Sequence, residues 1–416
     1  MDCNKIIFKQ IKRNSVYILL KFLPKIFIMS TIQTIKSTKI IKVIEKFKQL
    51  NFKIDRPIIK FSLDSRKISS LAFSPEDDLL TTATFCNVIV IFGTNPKLER
   101  EYGKELSRIN SHSSVITSIV FSPCGNYLVS GSNDLKVLIH KVYRKNNNLN
   151  VDKIFEIQDH LKVITSICFS NSGNYFASTS FDLRTILYDV KTKNKNDNLE
   201  KYNKVINNKD NNSVNNDTEV ITKKNELKDE LKNNNEISFI KRLEFQDHKH
   251  WVHCLKFSPN EDLIATSSAD WTIFVYCIDI TNKNYSFPLV RLFGHKRPVS
   301  SIDFFPFGDY LVSASTLLLF HNINPKHKDV FGTEIMSINN HKLWINCVNV
   351  SKDGKFISTA GEDKLILLYK IDIKSMQVTQ IKKLDYHNHS FSSVVFSNRG
   401  YLLAAGTEDS TIFVYC

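Results

Sequence analysis

A chain of 416 residues with 42% hydrophobic content is long enough to bury a large core. Its net charge of +14 is mostly local: residues 1–56 hold 13 Lys/Arg against 3 Asp/Glu, which leaves +4 for the rest and argues against direct nucleic-acid binding. The eight Cys show no CxxC spacing, the 12 Gly build no phosphate-cradling loop, and no HExxH occurs, so disulfides, metals, cofactors and a small-molecule substrate are not expected.

The basic N-terminus comes first. Residues 16–28, VYILLKFLPKIFI, form an apolar run broken by Lys21, Pro24 and Lys25. It reads as part of a targeting segment, as a disordered tail, or as an extension upstream of a true start at Met29. From Ser30 to Leu50, Ile32, Ile35, Ile40, Ile44 and Phe47 recur mostly at spacings of three to five with Lys between them, which predicts a basic amphipathic helix. Such a helix can pack on its own domain, or lie on an acidic partner or an anionic membrane, and it is the one route to membrane contact that the sequence offers. Pro57–Leu63, PIIKFSL, then reads as a strand.

From residue 64 onward the chain repeats. His112 is followed by Asp134, His160 by Asp182, His248 by Asp270, His341 by Asp363 and His387 by Asp409, always at an offset of 22 residues. Six residues after each Asp stands a ring (His140, Tyr188, Tyr276, Tyr369, Tyr415). Four before it stands a hydroxyl (Ser130, Ser178, Thr266, Thr359), with Ala405 the exception. Between His and Asp lie two alternating apolar runs joined by a turn, as in ITSIVFSPCGNYLVSGS, so each unit supplies short half-buried strands. Two further units are damaged. One has Asp64, Cys86 and Phe92 at the His, Asp and ring positions, and should rest on apolar packing. The other begins at His295, has a turn two residues short without its Asp, and brings Phe320 and His321 near the ring position. Seven units thus start near residues 64, 112, 160, 248, 295, 341 and 387. Residues 191–238 interrupt the third; with 14 Asn, 10 Lys and 9 Asp/Glu the stretch cannot bury enough surface to offset ordering entropy, and it is expected to be a disordered insert.

His, a hydroxyl and Asp are also the parts of a nucleophilic triad. An enzyme needs one such site, whereas a repeat needs many, and here the trio recurs. It is therefore read as structural.

The pattern resembles the WD40 repeat family, whose units carry Gly-His near the start and Trp-Asp at the end. Gly294-His295 is the one intact Gly-His, and Tyr188-Asp189 is the nearest ending to Trp-Asp, so the match lies in spacing more than in letters. The resemblance implies an all-β, seven-bladed β-propeller over residues 57–416, preceded by the basic helical extension of residues 1–56. In each blade the His, Ser/Thr, Asp and ring would form a buried network in which the polar groups satisfy one another. The strand at 57–63 would complete the last blade and cover an open edge.

In that family the face carrying the d–a loops and b–c turns is the usual contact surface. All three Trp of the chain fall at positions on this face and none at the ring position. Phe85, Phe181, Trp251, Trp271, Arg297 and Trp344 are the candidate partner-binding residues. Lys162, Lys249, His250, Lys296, Arg297 and Lys342 would give them a basic border, suited to a peptide with apolar anchors and acidic flanks. The expectation is a non-enzymatic scaffold that docks other proteins in a multi-subunit complex, inside the cell, in cytoplasm or nucleus. Two alternatives stay open. One is a substrate receptor of a cullin-type ubiquitin ligase, suggested by ASTSFDLRTILYDVK (Ala177–Lys191), with Tyr188 and Lys191 where Trp and Arg are usual. The other is a peripheral membrane propeller, supported by the N-terminal helix alone, because the Phe-Arg-Arg-Gly phosphoinositide motif does not occur.

Overall fold

A computed structural model describes residues 57–63, 67–146, 148–192, 237–279, 287–324, 326, 328–372, 375, 377–385 and 387–416. The predicted N-terminal segment and helix, Asp64, and residues 193–236 of the predicted insert lie outside the described residues.

Alternating β-branched and aromatic residues fold into seven antiparallel four-stranded sheets. Blade 3 shows the plan: strand a Ile164–Phe169, strand b Tyr175–Ser180, strand c Thr185–Thr192 and strand d Ile237–Phe245. Strands c and d pair from Thr185↔Phe245 out to Thr192↔Ile237, so the ladder takes in two residues at each end of the stretch expected to be an insert. The backbone bonds of that hairpin hold residues whose composition alone argues for disorder. Strand a of each blade packs on strand a of the next, and Phe391–Phe396 of blade 7 packs on Ile68–Phe73 of blade 1, which closes a β-propeller. Blade 7 is completed by Ile59–Ser62, paired with Thr411–Tyr415 in the register Ile59↔Val414 to Ser62↔Thr411.

The core is divided into seven clusters, each shared by two neighbouring blades. Ile68, Leu71 and Phe73 of blade 1, for instance, pack with Ala404, Ile412 and Val414 of blade 7. Strand b lies inside this packing on both faces and is buried from end to end in blades 1, 2, 4 and 7. Small residues are needed there. A Cβ on Gly131 would stand 2.6 Å from Ile164 Cγ2, and one on Gly406 would stand 2.6 Å from Ile68 Cγ2. Blade 1, without its His and Asp, is held by apolar groups, with the Phe61 and Phe92 rings stacked at 3.9 Å.

Two turns per blade use left-handed backbone. In the a–b turns the position is Gly125, Gly173, Gly308, Gly354 and Gly400, but Asp77 and Glu261 in blades 1 and 4. In the b–c turns it is Asn87, Leu135, Leu183, Trp271, Lys364 and Ser410, the residue one past the Asp position. Blade 5 has no counterpart, because its shortened turn closes by a bond from the Ser315 N–H to the Leu317 carbonyl.

In six blades strand a also carries a bulge, five residues after the His position. A bulge leaves its residue out of the ladder and re-aims the side chain. The residues so placed are Ser69, Thr117, Thr165, His253, Asn346 and Ser392, with Ser300 equivalent in blade 5.

Candidate functional site

The repeated trio forms a closed network in blades 2, 3, 4 and 6. The Nδ1 atoms of His112, His160, His248 and His341 lie 2.8, 3.0, 2.9 and 2.9 Å from Asp134, Asp182, Asp270 and Asp363. Their Nε2 atoms lie 2.7–2.9 Å from the hydroxyls of Ser130, Ser178, Thr266 and Thr359. Each Asp also accepts the N–H of the residue after the His (Ser113, Leu161, Lys249 or Lys342). Burial by itself would raise these carboxyls, but the His and backbone donors outweigh it and hold Asp134, Asp182 and Asp270 below the ordinary range. Burial holds His112 and His341 below theirs. With a neutral imidazole donating from Nδ1 to a carboxylate, Nε2 is left to accept from the hydroxyl. All four hydroxyl residues are 0% exposed, so none can meet a substrate. Chemically the trio is a staple.

Blade 7 departs from the expected network. Ala405 offers no hydroxyl, and His387 Nε2 pairs with the Tyr415 hydroxyl at 2.8 Å. Asp409 is exposed and gathers Thr407, the Thr411 N–H and, at 3.7 Å, His389. In blade 5, Ser313 takes His295 Nε2 at 2.8 Å, but Nδ1 of His295 has no partner. Sequence reasoning also missed what the ring residue binds. Tyr188 donates to Asp159 at 3.0 Å, and Ser111 meets His140 Nε2 at 2.9 Å. The available signal was a polar residue directly before the His, where the family has Gly.

The seven bulge-position side chains ring the mouth of the central channel and form a second recurrent device. Thr117 donates to the Ile164 carbonyl, Thr165 to Val252, Ser300 to Ile345, Asn346 to Phe391 and Ser392 to Ile68. Every clasp runs from one blade to the first residue of strand a in the next, or to its equivalent. Among the described residues Ser69 Oγ has no partner and His253 makes no side-chain hydrogen bond, so the junctions of blades 1 with 2 and 4 with 5 lack this clasp. Deeper in the channel, Lys256 of blade 4 meets Asp303 of blade 5 at 3.5 Å, and Asp303 raises the Lys256 ammonium above its ordinary value. Asp303 also accepts from Asn349 and from the Val350 N–H of blade 6.

Above this ring lies a cavity of about 700 Å³ whose lining comes from blades 2 to 6. One wall is the Phe181–Trp251 stack, with centroids 4.3 Å apart and planes 16° off parallel, and with His250 4.8 Å from Trp251. Pro298 and Trp344 belong to blades 5 and 6, and Asn133 and Glu362 add polar edges. The six candidate residues are therefore divided. Phe181, Trp251 and Trp344 line the cavity; Phe85, Trp271 and Arg297 do not. Phe85 belongs to blade 1, where the Lys67 ammonium sits 5.5 Å from its ring centroid. Trp271, 50% exposed, stands at the left-handed turn position beyond Asp270, whereas the residue before the Asp, Ala269, lines the cavity. Arg297 is exposed one residue before the lining Pro298. The lining residues that sequence reasoning missed include Thr117, Thr165, His253, Ser300 and Asn346. Their one signal is a fixed distance from the His position, which residue type disguises.

The basic border is uncompensated. Lys162, Lys249, Lys296, Arg297 and Lys342 are exposed, and none forms an ion pair among the described residues. No group of three or more His, Cys, Asp or Glu side chains among those residues is placed to hold a metal.

The sequence profile described as WD domain, G-beta repeat, matches residues 103–141, 152–189, 239–277, 286–316, 332–370 and 378–416, more than half of the chain. Among curated proteins the chain is 26% identical over 165 residues to the transcriptional corepressor LEUNIG_HOMOLOG of Arabidopsis thaliana, covering 40% of this chain and 19% of that one. It is 28% identical over 145 residues to the U3 small nucleolar RNA-associated protein 15 homolog of Xenopus laevis, covering 34% and 25%. It is 26% identical over 172 residues to the guanine nucleotide-binding protein subunit beta of Zea mays, covering 39% and 44%. The chain spans less than half the length of each of these relatives.

Proposed function

The chain belongs to the WD40 repeat family, and from that premise we propose that it is a non-enzymatic scaffold that docks a peptide segment of a partner protein in the cavity above the channel. The observation that carries this reading is the concentration of Phe181, Trp251 and Trp344 around one 700 Å³ cavity, in a family whose fold hosts many functions and cannot decide among them alone. Large aromatic rings at the centre of a concave surface are what binding hot spots are made of. The names of the relatives, a corepressor, an RNA-associated protein and a G-protein subunit, support a role in an assembly and a place inside the cell, without choosing between cytoplasm and nucleus.

The test is affinity purification with mass spectrometry on the tagged native chain and on the triple variant Phe181→Ala, Trp251→Ala, Trp344→Ala, whose folding is checked by its thermal melt. The expected result is loss of one set of partners from the folded variant. A partner set unchanged by the three substitutions would remove the cavity from consideration as the docking site.

A further inference from the structure

His253 stands where its neighbours do something else. At the same bulge position Thr117, Thr165, Ser300, Asn346 and Ser392 each commit a donor to the carbonyl of the next blade. The equivalent acceptor for His253 is the Val299 carbonyl. The imidazole does not take it, and among the described residues it makes no side-chain hydrogen bond at all. It lines the cavity instead, edge-on to Phe181 at 6.3 Å and 85°. Asn346 gives one amide hydrogen and the hydroxyls give their protons to the clasps, so among the bulge-position side chains that line the cavity His253 is the one that commits nothing to its neighbour blade.

Its chemistry can be narrowed. Burial, with His250 and His248 close by, holds the imidazole below its ordinary pKa, so near neutral pH it offers one N–H and one lone pair. The aromatic wall beside it suits an apolar stem. Lys162, Lys249, Lys296, Arg297 and Lys342, each exposed and one or two residues from a lining residue, carry positive charge that no carboxylate among the described residues neutralises, while Glu362 is the one carboxylate in the lining. Among the groups an unmodified peptide carries, the one that both accepts a hydrogen bond at the floor and is drawn past a cationic border is a carboxylate.

We propose that His253 is the specificity-determining residue of the cavity, released from the interblade clasp so that it can select a partner peptide that inserts an Asp or Glu side chain beside an apolar anchor. This rests on the cavity being the docking site, and the test separates the two claims.

A phage-displayed library of random peptides is selected on the full chain, and individual peptides are then measured by fluorescence anisotropy on three proteins: native, His253→Thr, and Phe181→Ala/Trp251→Ala. Threonine is the residue of blade 3 at this position, so His253→Thr should restore the missing clasp to Val299 and leave the thermal melt unchanged or raised. The expected result is a consensus with an acid at one fixed position next to a large apolar residue. Those peptides should bind His253→Thr at least about tenfold more weakly, the loss of one charge-assisted hydrogen bond. Equal binding to His253→Thr, or a consensus with no fixed acid, overturns the role of His253 while the cavity stands. Peptides that still bind Phe181→Ala/Trp251→Ala, or no enrichment at all, overturn the cavity reading and this inference with it.

Discussion

A blade is held by a few polar atoms whose partners are fixed, and their replacement has a definite cost. In Ser178→Ala, His160 Nε2 would be left buried without a donor, which should lower stability by about 1–3 kcal/mol in a denaturant titration. Trp271 gives the opposite case. A bulky residue in left-handed backbone is strained, and asparagine tolerates that conformation well. Trp271→Asn should therefore keep or raise the unfolding midpoint, and should leave the partner set unchanged because Trp271 does not line the cavity. The same scale shows where sequence reading stops. The spacing of 22 residues encodes strand register, and register was enough to place His and Asp together in blades 2, 3, 4 and 6. It failed in blade 7, because Ala405 removes the acceptor's donor and the imidazole turns to Tyr415. Trp271 and Trp251 look alike in sequence, both near a loop apex, and only the left-handed turn separates one from the cavity.

Among the elements, blade 5 is the least conventional. It buries His295 and His321 with no Asp at the network position, and among the described residues the Nδ1 atom of each lacks a partner. Burial pushes His295 down to about 3 and His321 below its ordinary value; His140 in blade 2 is pushed to about 4 by the same cause. These groups bind a proton more readily in the unfolded chain, where a His titrates near 6.5. Burial thus brings no protonation penalty above about pH 6.5, and stability is lost as pH falls below it, toward about 4 for His140 and about 3 for His295. Each such group contributes a slope of up to about 1.4 kcal/mol per pH unit in that window. Urea midpoints measured from pH 7 to pH 4.5 should fall steadily, and His295→Gln should make the decline shallower. The count of seven blades was legible even here, because the apolar runs of blade 5 survive although its turn chemistry does not. Strand ends were less legible: the c–d hairpin of blade 3 extends into Asn/Lys-rich sequence because backbone pairing does not consult side-chain composition.

Across the described residues the buried apolar contacts are distributed over seven interfaces, and where strand b carries glycine the interface depends on its thinness. Gly131→Ala would place a methyl 2.6 Å from Ile164 Cγ2 across the junction of blades 2 and 3. The strain should cost about 1–3 kcal/mol, and it should appear as one lowered cooperative melt.

The clasps share one direction around the ring and are interrupted at two junctions, between blades 1 and 2 and between blades 4 and 5. The two interruptions leave arcs of three and four blades, so they face each other across the channel. Other bonds still cross both gaps, the Ile119 N–H to Ser70 Oγ at 3.3 Å among them, but a ring with two clasps fewer should yield first along this line. At the junction of blades 4 and 5 the Lys256–Asp303 pair holds the lower level, while the upper level keeps a backbone bond but lacks the side-chain clasp. Phe181 and Trp251 ride on one arc, Pro298 and Trp344 on the other. An occupant touching both arcs would act as a wedge or a bolt across the junction of blades 4 and 5, and the Val299 amide, bonded to the Ser268 carbonyl at 3.0 Å there, is its natural reporter. Hydrogen exchange at Val299 should be faster than at the matching Val252 and Ile345 amides in the free protein, and should slow when a selected peptide is bound. Slower exchange on binding would mean that one unmade hydrogen bond gives the two walls of the proposed site room to move.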